Sequence, residues 1–379
     1  MSLVAIIKCD SYDESIVYES VQRGINLLGG IERFSLSGEK ILLKPNLITG
    51  ADPKQCITTH PAVFKAVAQM FQSAGAKVSY GDNPGIMSPA LAAKKAGISK
   101  IARMLNIDSA DFIHVKRIHF DRGKQNKVFN IVNAVFQNDG VISLPKFKTH
   151  GFTKITGSVK NQFGCLPFIE KRFFHAKLPD AGSFAKMLLD LNQYIRPRLY
   201  IMDGIYAMEG SGPLSGNPKR LNVLGFSADP IALDSVMCEI INLDPYIVPT
   251  NFYGQQFNYG ECEKNKIKLV GDNVNELINS EFNVERTRDI IVGRGYFSRI
   301  ILHSLIKKPV IINNNCNNCG NCILACPVFP KAIKIGNHFN NEIPYIDYDL
   351  CIRCYCCHEL CSNKAIKLKI PAITKLLSI

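Results

Sequence analysis

Short apolar runs alternate with longer amphipathic stretches along most of the chain. Apolar runs flanked by turn residues are typical of buried strands, whereas apolar positions spaced three or four apart are typical of helices. The predicted strands lie at 4–9, 40–43, 77–80, 112–115, 127–131, 141–144, 199–202 and 221–226. The predicted helices lie at about 13–28, 61–75, 89–96, 98–105, 183–194 and 230–241. Their alternation predicts an α/β fold with a mainly parallel or mixed sheet and flanking helices.

The same pattern divides the chain into parts. The strands at 112–115 and 127–131 have no helix between them, so we expect part of the sheet to be antiparallel. An amphipathic helix is predicted at 296–306, and Lys307-Lys308-Pro309 after it marks a boundary. We therefore expect an α/β body at 1–306, a small cysteine-rich α+β domain at 307–370 and a tail at 371–379. Packing on the body is the favoured interpretation of this apolar tail, and contact with a partner or a membrane surface is the alternative.

The composition favours a folded protein inside the cell. Apolar residues make up 46% and charged residues 20% of the chain, which excludes disorder as its main state. No apolar run is long enough for a transmembrane helix, and the N-terminus lacks the pattern of a signal peptide, so we expect a cytoplasmic protein. The net charge of +13 favours acidic partners or anionic substrates. No nucleic-acid-binding module is recognisable, so nucleic acid is not expected as a partner.

Nine of the 14 cysteines lie between residues 316 and 361. The first run is Cys316-Asn-Asn-Cys319-Gly-Asn-Cys322-Ile-Leu-Ala-Cys326-Pro, with the spacing C-x2-C-x2-C-x3-C-P. A second run from Cys351 to Cys361 repeats the cysteine spacing, and each run continues into Lys-Ala-Ile-Lys. The segment is therefore an internal repeat. In a reducing compartment such dense cysteines indicate a metal site.

This repeat resembles the bacterial two-cluster ferredoxin, whose signature has the same spacing. The resemblance implies two [4Fe–4S] clusters, with the fourth cysteine of each run binding the cluster of the other run. The implied ligands of cluster one are Cys316, Cys319, Cys322 and Cys361, and those of cluster two are Cys351, Cys354, Cys357 and Cys326. A pair of structural zinc sites is the alternative, but the third cysteine and the doubled run exceed what zinc needs. Ser362 stands where the family usually has proline, a change that removes no ligand.

Polar motifs are spread over the first 240 residues. They are LKPNL at 43–47, GDNPG at 81–85, LPKFKTHG at 144–151, VKNQFG at 159–164, DGIYAMEG at 203–210 and ADPIALD at 228–234. Together with the second cysteine run they resemble the iron–sulfur proteins that carry the domain of unknown function 362. This resemblance covers nearly the whole chain but implies no particular chemistry, because the name of the family states that its function is not established.

Several of these motifs follow directly after a predicted strand. Ligands of open α/β sheets bind at the carboxyl ends of the strands, so we expect the polar side chains of the motifs to converge there. The candidate catalytic residues are Lys146, His150, Lys160 and Asp203, and the candidate substrate-binding residues are Lys44, Asn46, Asp82, Lys148, Asn161 and Glu209. Their lysines describe a pocket for an anion with acid–base groups beside it. For each residue alone, an ordinary turn or a solvated loop is the alternative interpretation.

These patterns predict a cytoplasmic, anaerobic iron–sulfur oxidoreductase. The ferredoxin-type domain would take single electrons from a redox partner protein or a soluble carrier and pass them to a small anionic molecule on the α/β body. One alternative is an electron carrier or partner-binding protein without a catalytic site, and another is a non-redox isomerase with structural clusters. The chain has no dinucleotide fingerprint, P-loop or H-E-x-x-H motif, and whether a flavin or other organic cofactor binds stays open.

Overall fold

The computed structural model describes residues 1–178, 180–287, 307–338 and 341–369. The predicted helix at 296–306 and the predicted tail at 371–379 lie outside the described residues. The strands of the body are β1 (Ser2–Lys8), β2 (Lys40–Pro45), β3 (Lys77–Tyr80), β4 (Asp108–Ser109), β5 (Val115–His119), β6 (Val128–Val132), β7 (Gly140–Leu144), β8 (Lys146–His150), β9 (Lys154–Thr156), β10 (Leu199–Glu209), β11 (Asn217–Ser227) and β12 (Ile267–Gly271). The strands of the cysteine-rich unit are β13 (Lys308–Ile311), β14 (Ile333–His338), β15 (Asn341–Ile346) and β16 (Ile366–Lys369).

The α-helices flank these strands in sequence. Those of the body are α1 (Glu14–Leu27), α2 (Pro61–Ser73), α3 (Pro89–Lys95), α4 (Ile98–Met104), α5 (Ser158–Asn161), α6 (Phe168–Lys177), α7 (Ala181–Ile195), α8 (Pro230–Ile240) and α9 (Pro249–Gln256). The cysteine-rich unit has α10 (Asn321–Ala325) and α11 (Cys356–Glu359). Side chains at the predicted starting points cap several of these helices. The Asp13 carboxylate accepts hydrogen bonds from backbone N–H groups in the first turn of α1, and the Asp229 carboxylate does the same in α8.

One mixed sheet forms the centre of the body. Within the described residues it contains ten strands, eight of them in the order β12-β1-β11-β10-β7-β2-β3-β4, while β8 pairs with β10 and with β9. The strands β10, β7, β2, β3 and β4 run parallel to one another, whereas β11 is antiparallel to both of its neighbours, β1 and β10. This arrangement confirms the predicted α/β fold with a mixed sheet and flanking helices.

The alternation of side chains along each strand builds a core on both faces of the sheet. In β2, Ile41 and Leu43 pack in one buried cluster with α1 and α2, whereas Leu42 packs in a second cluster with α7. A strand buried on both faces carries a nearly continuous apolar run, as the sequence of β2 does. The parallel strands are therefore enclosed by helices, and their carboxyl ends form one edge where loops meet.

One predicted strand is wrong in position. The run at 112–115 was expected to be a strand, but β5 begins only at Val115 and pairs antiparallel with β6 in a separate two-stranded sheet. The Asp111 carboxylate accepts hydrogen bonds from the backbone N–H groups of Ile113 and His114, which closes a turn there. Phe112 is buried as an anchor of this turn. The expected antiparallel pair exists, but it begins later in the chain.

The cysteine-rich unit packs directly against the body. Its strands pair as β13 with β16 and as β14 with β15, both antiparallel. The guanidinium Nη2 of Arg172 on α6 donates to the carbonyl oxygen of Cys326 at 2.8 Å, and Ser215 Oγ donates to that of Cys361 at 3.2 Å. These contacts join the two parts through residues next to the cysteine runs. None of the described helices is long and apolar enough to cross a membrane.

Candidate functional site

The carboxyl ends of β2 and β3 are tied together by an ion pair. Lys44 lies in β2, and Asp82 follows β3. Lys44 Nζ lies 2.7 Å from Asp82 Oδ1, and the second carboxylate oxygen accepts from the backbone N–H of Leu47 at 2.7 Å. Both charged side chains are buried. Because the partners satisfy each other, this pair organises the edge of the sheet where a ligand would bind.

Asn161, at the end of α5, joins this edge through its amide group. Its Oδ1 accepts from Asn46 Nδ2 at 3.2 Å, and its Nδ2 donates to the carbonyl oxygen of Lys44 at 3.1 Å and to Ser143 Oγ at 2.9 Å. One side chain thereby connects the ends of β2 and β7. The short helix α5 is thus fixed above the strands that carry the other candidate residues.

The other end of α5 is held by a buried carboxylate. Asp234 Oδ1 accepts from the backbone N–H of Ser158 at 2.6 Å, and Oδ2 accepts from that of Val159 at 3.3 Å. Burial raises the pKa of Asp234 to about 7, against the lowering effect of these hydrogen bonds. A Cβ at Gly157 would lie 2.4 Å from this carboxylate, so only glycine permits the close approach. Asp234 therefore sets the position of α5 and of Lys160 on it.

The stretch after β7, in which the sequence predicts no strand, is the strand β8. Lys146, Lys148 and His150 alternate along it and therefore share one face. Lys148 Nζ donates to Asn46 Oδ1 at 2.8 Å and to the carbonyl oxygen of Ile57 at 2.6 Å. Burial lowers the pKa of Lys148 well below its ordinary value, and nearby lysines lower it further.

A second buried network surrounds Asp203. Its Oδ2 lies 3.0 Å from Lys146 Nζ and accepts from the backbone N–H of His60 at 2.9 Å. Its Oδ1 accepts from the Tyr12 hydroxyl at 2.7 Å, and that hydroxyl also accepts from Lys146 Nζ at 2.7 Å. The ring of His60 stacks on that of Tyr12 with centroids 3.6 Å apart. Burial raises the pKa of Tyr12 well above its usual range and lowers that of His60 to about 4. Sequence reasoning missed Tyr12 and His60 because neither lies in a recognisable motif.

The main cavity lies between the body and the cysteine-rich unit. Its volume is about 750 Å³ including its solvent-filled mouth, a size typical of small-molecule sites. The candidate residues that line it are Asn46, Asp82, Lys148, His150, Lys160 and Asn161, and Lys44 lies behind them. Lys146, Asp203 and Glu209 are not among the described residues that line it. Glu209 instead accepts through Oε2 from the backbone N–H of Asn283 at 2.8 Å. The structure therefore brings seven of the ten candidates together and leaves three apart.

Glu359, on α11 of the cysteine-rich unit, faces the histidines of the cavity. Its Oε1 lies 3.2 Å from His150 Nε2, and its Oε2 lies 3.9 Å from His175 Nε2. His150 Nδ1 accepts from two backbone N–H groups, so the neutral ring carries its proton on Nε2. Burial lowers the pKa of His175 to about 3 and raises that of Glu359. Sequence reasoning missed both His175 and Glu359; the latter stands inside a cysteine run, where the motif draws attention to the thiols alone.

Cations and aromatic rings complete the cavity wall. Lys160 Nζ lies 5.1 Å from the ring centroid of Phe163 and 5.7 Å from that of Phe184. Burial lowers the pKa of Lys160, while the charge of Glu359 partly opposes this effect. Lys171 donates to two backbone carbonyl groups, and burial lowers its pKa to about 7. The wall thus holds four cationic side chains, Lys148, Lys160, Lys171 and Arg172, against the two carboxylates of Asp82 and Glu359.

A smaller cavity lies within the cysteine-rich unit. It has a volume of about 380 Å³ and is lined by cysteines of both runs, namely Cys316, Cys319, Cys322 and Cys361. Gly320 lies between two of them with φ +72°, a left-handed conformation that glycine adopts without strain. Thiol sulfurs around one enclosed space are a suitable donor set for an iron–sulfur cluster.

The remaining thiols form a neighbouring group. Cys326 and Cys351 belong to one small buried cluster, and burial raises the pKa of Cys357, as the neighbouring Cys354 and Cys351 also do. Cys356 lies beside Cys354 and lines the main cavity. In the described part of the chain, no three His, Cys, Asp or Glu side chains are gathered around a point that could hold a single metal ion. The fit of the cysteines to a cluster therefore rests on the space that they surround.

Comparison with known families supports both parts of this description. Residues 41–239 match the model of the domain of unknown function 362 (DUF362), and residues 308–362 match that of a 4Fe-4S dicluster domain. The first match spans more than half of the chain. The protein belongs to the DUF362 family, as the motifs predicted, and its cysteine-rich unit is an iron–sulfur domain.

Two relatives extend the comparison, one along the body and one along a short segment. The chain is 37% identical over 249 residues to the thylakoid-associated protein sll1697 of Synechocystis sp., a match that covers 65% of this chain and 77% of the relative. It is 39% identical over 62 residues to pyruvate synthase subunit PorD of Methanothermobacter marburgensis, covering 16% of this chain and 65% of that subunit.

Two solved structures also align with part of the chain. One is the lactate racemase apoprotein of Thermoanaerobacterium thermosaccharolyticum, with a TM-score of 0.40, 11% identity and 61% of this chain covered. The other is a protein from Thermotoga maritima, with a TM-score of 0.35, 12% identity and 56% of this chain covered. The chain spans 55% of the length of each of them.

Proposed function

We propose that this protein is a two-cluster iron–sulfur oxidoreductase that acts on a small anionic molecule in the cavity between its two parts. The cavity lined by Cys361 together with three cysteines of the first run supports the crossed ligation of cluster one. The presence of Cys326 and Cys351 in one buried cluster supports the complementary ligation of cluster two. Bound clusters would supply single electrons, which a cytoplasmic redox partner protein or soluble carrier would deliver.

The observation that carries this proposal is the shared wall of the main cavity. Ala325, next to the proposed ligand Cys326, and three residues of or next to α11, namely Cys356, Glu359 and Leu360, line it from the cluster side. Candidate residues of the sheet edge line it from the body side. A molecule bound there would contact the segments that hold the clusters and the polar groups of the body at the same time.

The side chains of the cavity suit the handling of an anion. Lys160 would bind the negative charge, and Lys148 and Asn161 would fix the sheet edge around it. Charge-assisted hydrogen bonds are the strong ones in such sites. His150 carries a proton on Nε2 beside Glu359, so it is positioned to donate a hydrogen bond to an oxygen of the bound molecule. Lys146 and Asp203 would support β8 from behind.

Substrate-dependent reoxidation of the clusters tests the proposal. The anaerobically purified protein is reduced, freed of reductant and mixed with a panel of small carboxylates and oxyanions while the visible absorbance of the clusters is followed. We expect at least one compound to accelerate reoxidation, and Lys160→Met to slow that reaction. Lys264→Met is the matched control, because the Lys264 side chain is 73% exposed and pairs with Glu239 on the surface. Reoxidation at one unchanged rate with every compound would favour an electron carrier without a catalytic site.

A further inference from the structure

Four buried polar atoms, each on a residue that lines the main cavity, have no hydrogen-bond partner among the described residues. They are Thr156 Oγ1, Arg172 Nε, His175 Nδ1 and Glu359 Oε1. Thr156 and His175 are each only 4% exposed, and the contact of Glu359 with His150 at 3.2 Å does not have the geometry of a hydrogen bond. Buried polar atoms almost always have a partner, so four of them around one cavity point to a ligand with complementary groups.

The chemistry of these atoms limits what that ligand can be. Thr156 can donate or accept, and the free nitrogen of His175 can do either according to its tautomer. Arg172 Nε can only donate, which suits an anionic oxygen, whereas a carboxylate oxygen of Glu359 can only accept. A ligand whose groups are all negatively charged oxygens would meet repulsion at Glu359. The ligand must therefore bring a hydrogen-bond donor of its own to this side of the cavity.

Lys160 provides the opposite requirement. Its ammonium group lies over the rings of Phe163 and Phe184, and Glu359 is the carboxylate whose charge acts on it across the cavity. A buried cation that rests on aromatic rings is stabilised further by an anion brought to it. The ligand therefore needs an anionic group as well as a donor, and both must belong to one small molecule.

We infer that the ligand of the main cavity is a small carboxylate with a hydroxyl group on the adjacent carbon. This inference rests on the proposed function of the cavity as an anion site. The carboxylate binds Lys160, and the hydroxyl donates to Glu359 and accepts from Thr156 or His175. A hydroxyl is the smallest group that can donate and accept at once, which Glu359 together with Thr156 or His175 requires. The juxtaposition of Lys160 with Thr156, His175 and Glu359 is thus a site for a 2-hydroxy carboxylate.

Binding of minimal probes to the intact protein tests this inference. The anaerobically purified protein, with oxidised clusters and no electron donor, is titrated with glycolate, acetate, oxalate and sulfate by calorimetry at constant ionic strength. We expect glycolate to bind about tenfold or more tightly than acetate, because one hydrogen bond to a charged group separates them. Oxalate and sulfate, which lack the hydroxyl donor of glycolate, should bind more weakly than glycolate.

Variants assign the preference to residues. Glu359→Ala should reduce the advantage of glycolate over acetate to less than about threefold while acetate still binds. Thr156→Val, which keeps the shape of the side chain, should also reduce it and does not touch the cysteine runs, so it guards against a Glu359 variant that loses a cluster. Lys160→Met should weaken both carboxylates to a similar degree, and Lys264→Met should change neither.

Equal affinity for glycolate and acetate, tighter binding of oxalate or sulfate than of glycolate, or no binding of any probe would overturn the inference. The result is separate from the redox test of the proposed function. Reoxidation by an anion that shows no preference for a hydroxyl would retain the oxidoreductase and reject the ligand class. A preference for glycolate without any reoxidation would retain the ligand class and reject the oxidoreductase.

Discussion

Lys146 and Lys160 are both surrounded by protein, yet their ammonium groups face different surroundings. Lys146 Nζ is paired with Asp203 and also donates a hydrogen bond to Tyr12. Lys160 lines the cavity, and its Nζ lies over two aromatic rings. Removing one partner of a buried ion pair leaves the other charge uncompensated, which is far more costly than removing a cation that faces a cavity. Substitution of Lys146 should therefore affect mainly the stability of the protein, whereas substitution of Lys160 should affect mainly ligand binding.

Lys146→Met is expected to lower the free energy of unfolding by about 3–5 kcal/mol, because it leaves Asp203 buried without its cation. Denaturant titration of the anaerobic protein measures this loss. The double variant Lys146→Met with Asp203→Leu should recover much of it, since both charges are then gone, and Lys160→Met should leave stability close to that of the wild type. A Lys146→Met protein as stable as the wild type would contradict the structural importance of the pair.

His60 gives a pH-dependent prediction at the same scale. Its Nδ1 accepts from the backbone N–H of Ala62 at the start of α2, and burial lowers its pKa to about 4. Above the ordinary histidine pKa of about 6.5 the ring is neutral in both the folded and the unfolded chain, so the stability it contributes is complete. Between these two values the unfolded chain binds a proton that the folded protein does not, so stability falls as the pH falls, by at most about 1.4 kcal/mol per unit.

His60→Asn should therefore flatten this loss, because asparagine also caps helices but does not titrate. Thermal unfolding midpoints of the variant and the wild type, compared between about pH 7 and pH 5, measure the difference, while the other buried histidines contribute equally to both proteins. Parallel pH profiles would show that His60 does not titrate in this window.

At the scale of elements, the short helix α5 links the sheet edge to the cavity. Asn161 on α5 bonds to the ends of β2 and β7, and Lys160 beside it faces the cavity. A single turn of helix is not stable by itself, so its position depends on Asp234, which accepts from its first two N–H groups.

Asp234→Ala should destabilise the protein and also weaken anion binding. Two buried N–H groups would lose their acceptor, at about 1–3 kcal/mol each, and Lys160 would lose its fixed position. Asp229→Ala is the matched control: it removes the cap of α8, which costs about 0.5–2 kcal/mol, but Asp229 is not among the described residues that line the cavity. Denaturation and probe titration of both variants make the comparison. If Asp234→Ala binds anions as the wild type does, α5 does not depend on this carboxylate.

The elements also show what the sequence could predict. The strands β2, β3 and β7 were predicted correctly from local patterns. β2 and β7 have apolar runs, β3 alternates polar and apolar residues in Lys-Val-Ser-Tyr, and turn residues follow each of them. Their parallel pairing places Lys44, Asn46 and Asp82 at one edge. The strand β8 was missed because its sequence, Lys-Phe-Lys-Thr-His, is mostly polar although all five residues are buried. Only the tertiary partners of these side chains make such a strand stable, and a local pattern does not contain them.

At the scale of the whole molecule, the cavity exists only because the two units meet. His150 and Glu359 are more than 200 positions apart in the chain, yet their side-chain atoms lie 3.2 Å apart. No periodicity or motif in either segment indicates the other. The polar motifs of the body could therefore suggest an anion site, while its second wall and the residues Thr156, His175 and Glu359 required the assembled structure.

The crossed binding of the clusters gives the last prediction, because it ties the two cysteine runs into one unit. If Cys326 binds the cluster of the second run, Cys326→Ser should give the same spectra and iron loss as Cys354→Ser, and a different result from Cys319→Ser. The wild type should contain roughly eight iron and eight sulfide ions per chain, and each of these variants fewer. Electron paramagnetic resonance of the reduced proteins distinguishes the two clusters, and Cys356→Ser, which removes a thiol outside the proposed ligand set, should keep both. A Cys326→Ser protein that matches Cys319→Ser would instead place each cluster within its own run. The hydrogen bond from Arg172 of the body to the carbonyl oxygen of Cys326 would then lie beside the first cluster, and only α11 would connect the second cluster to the cavity.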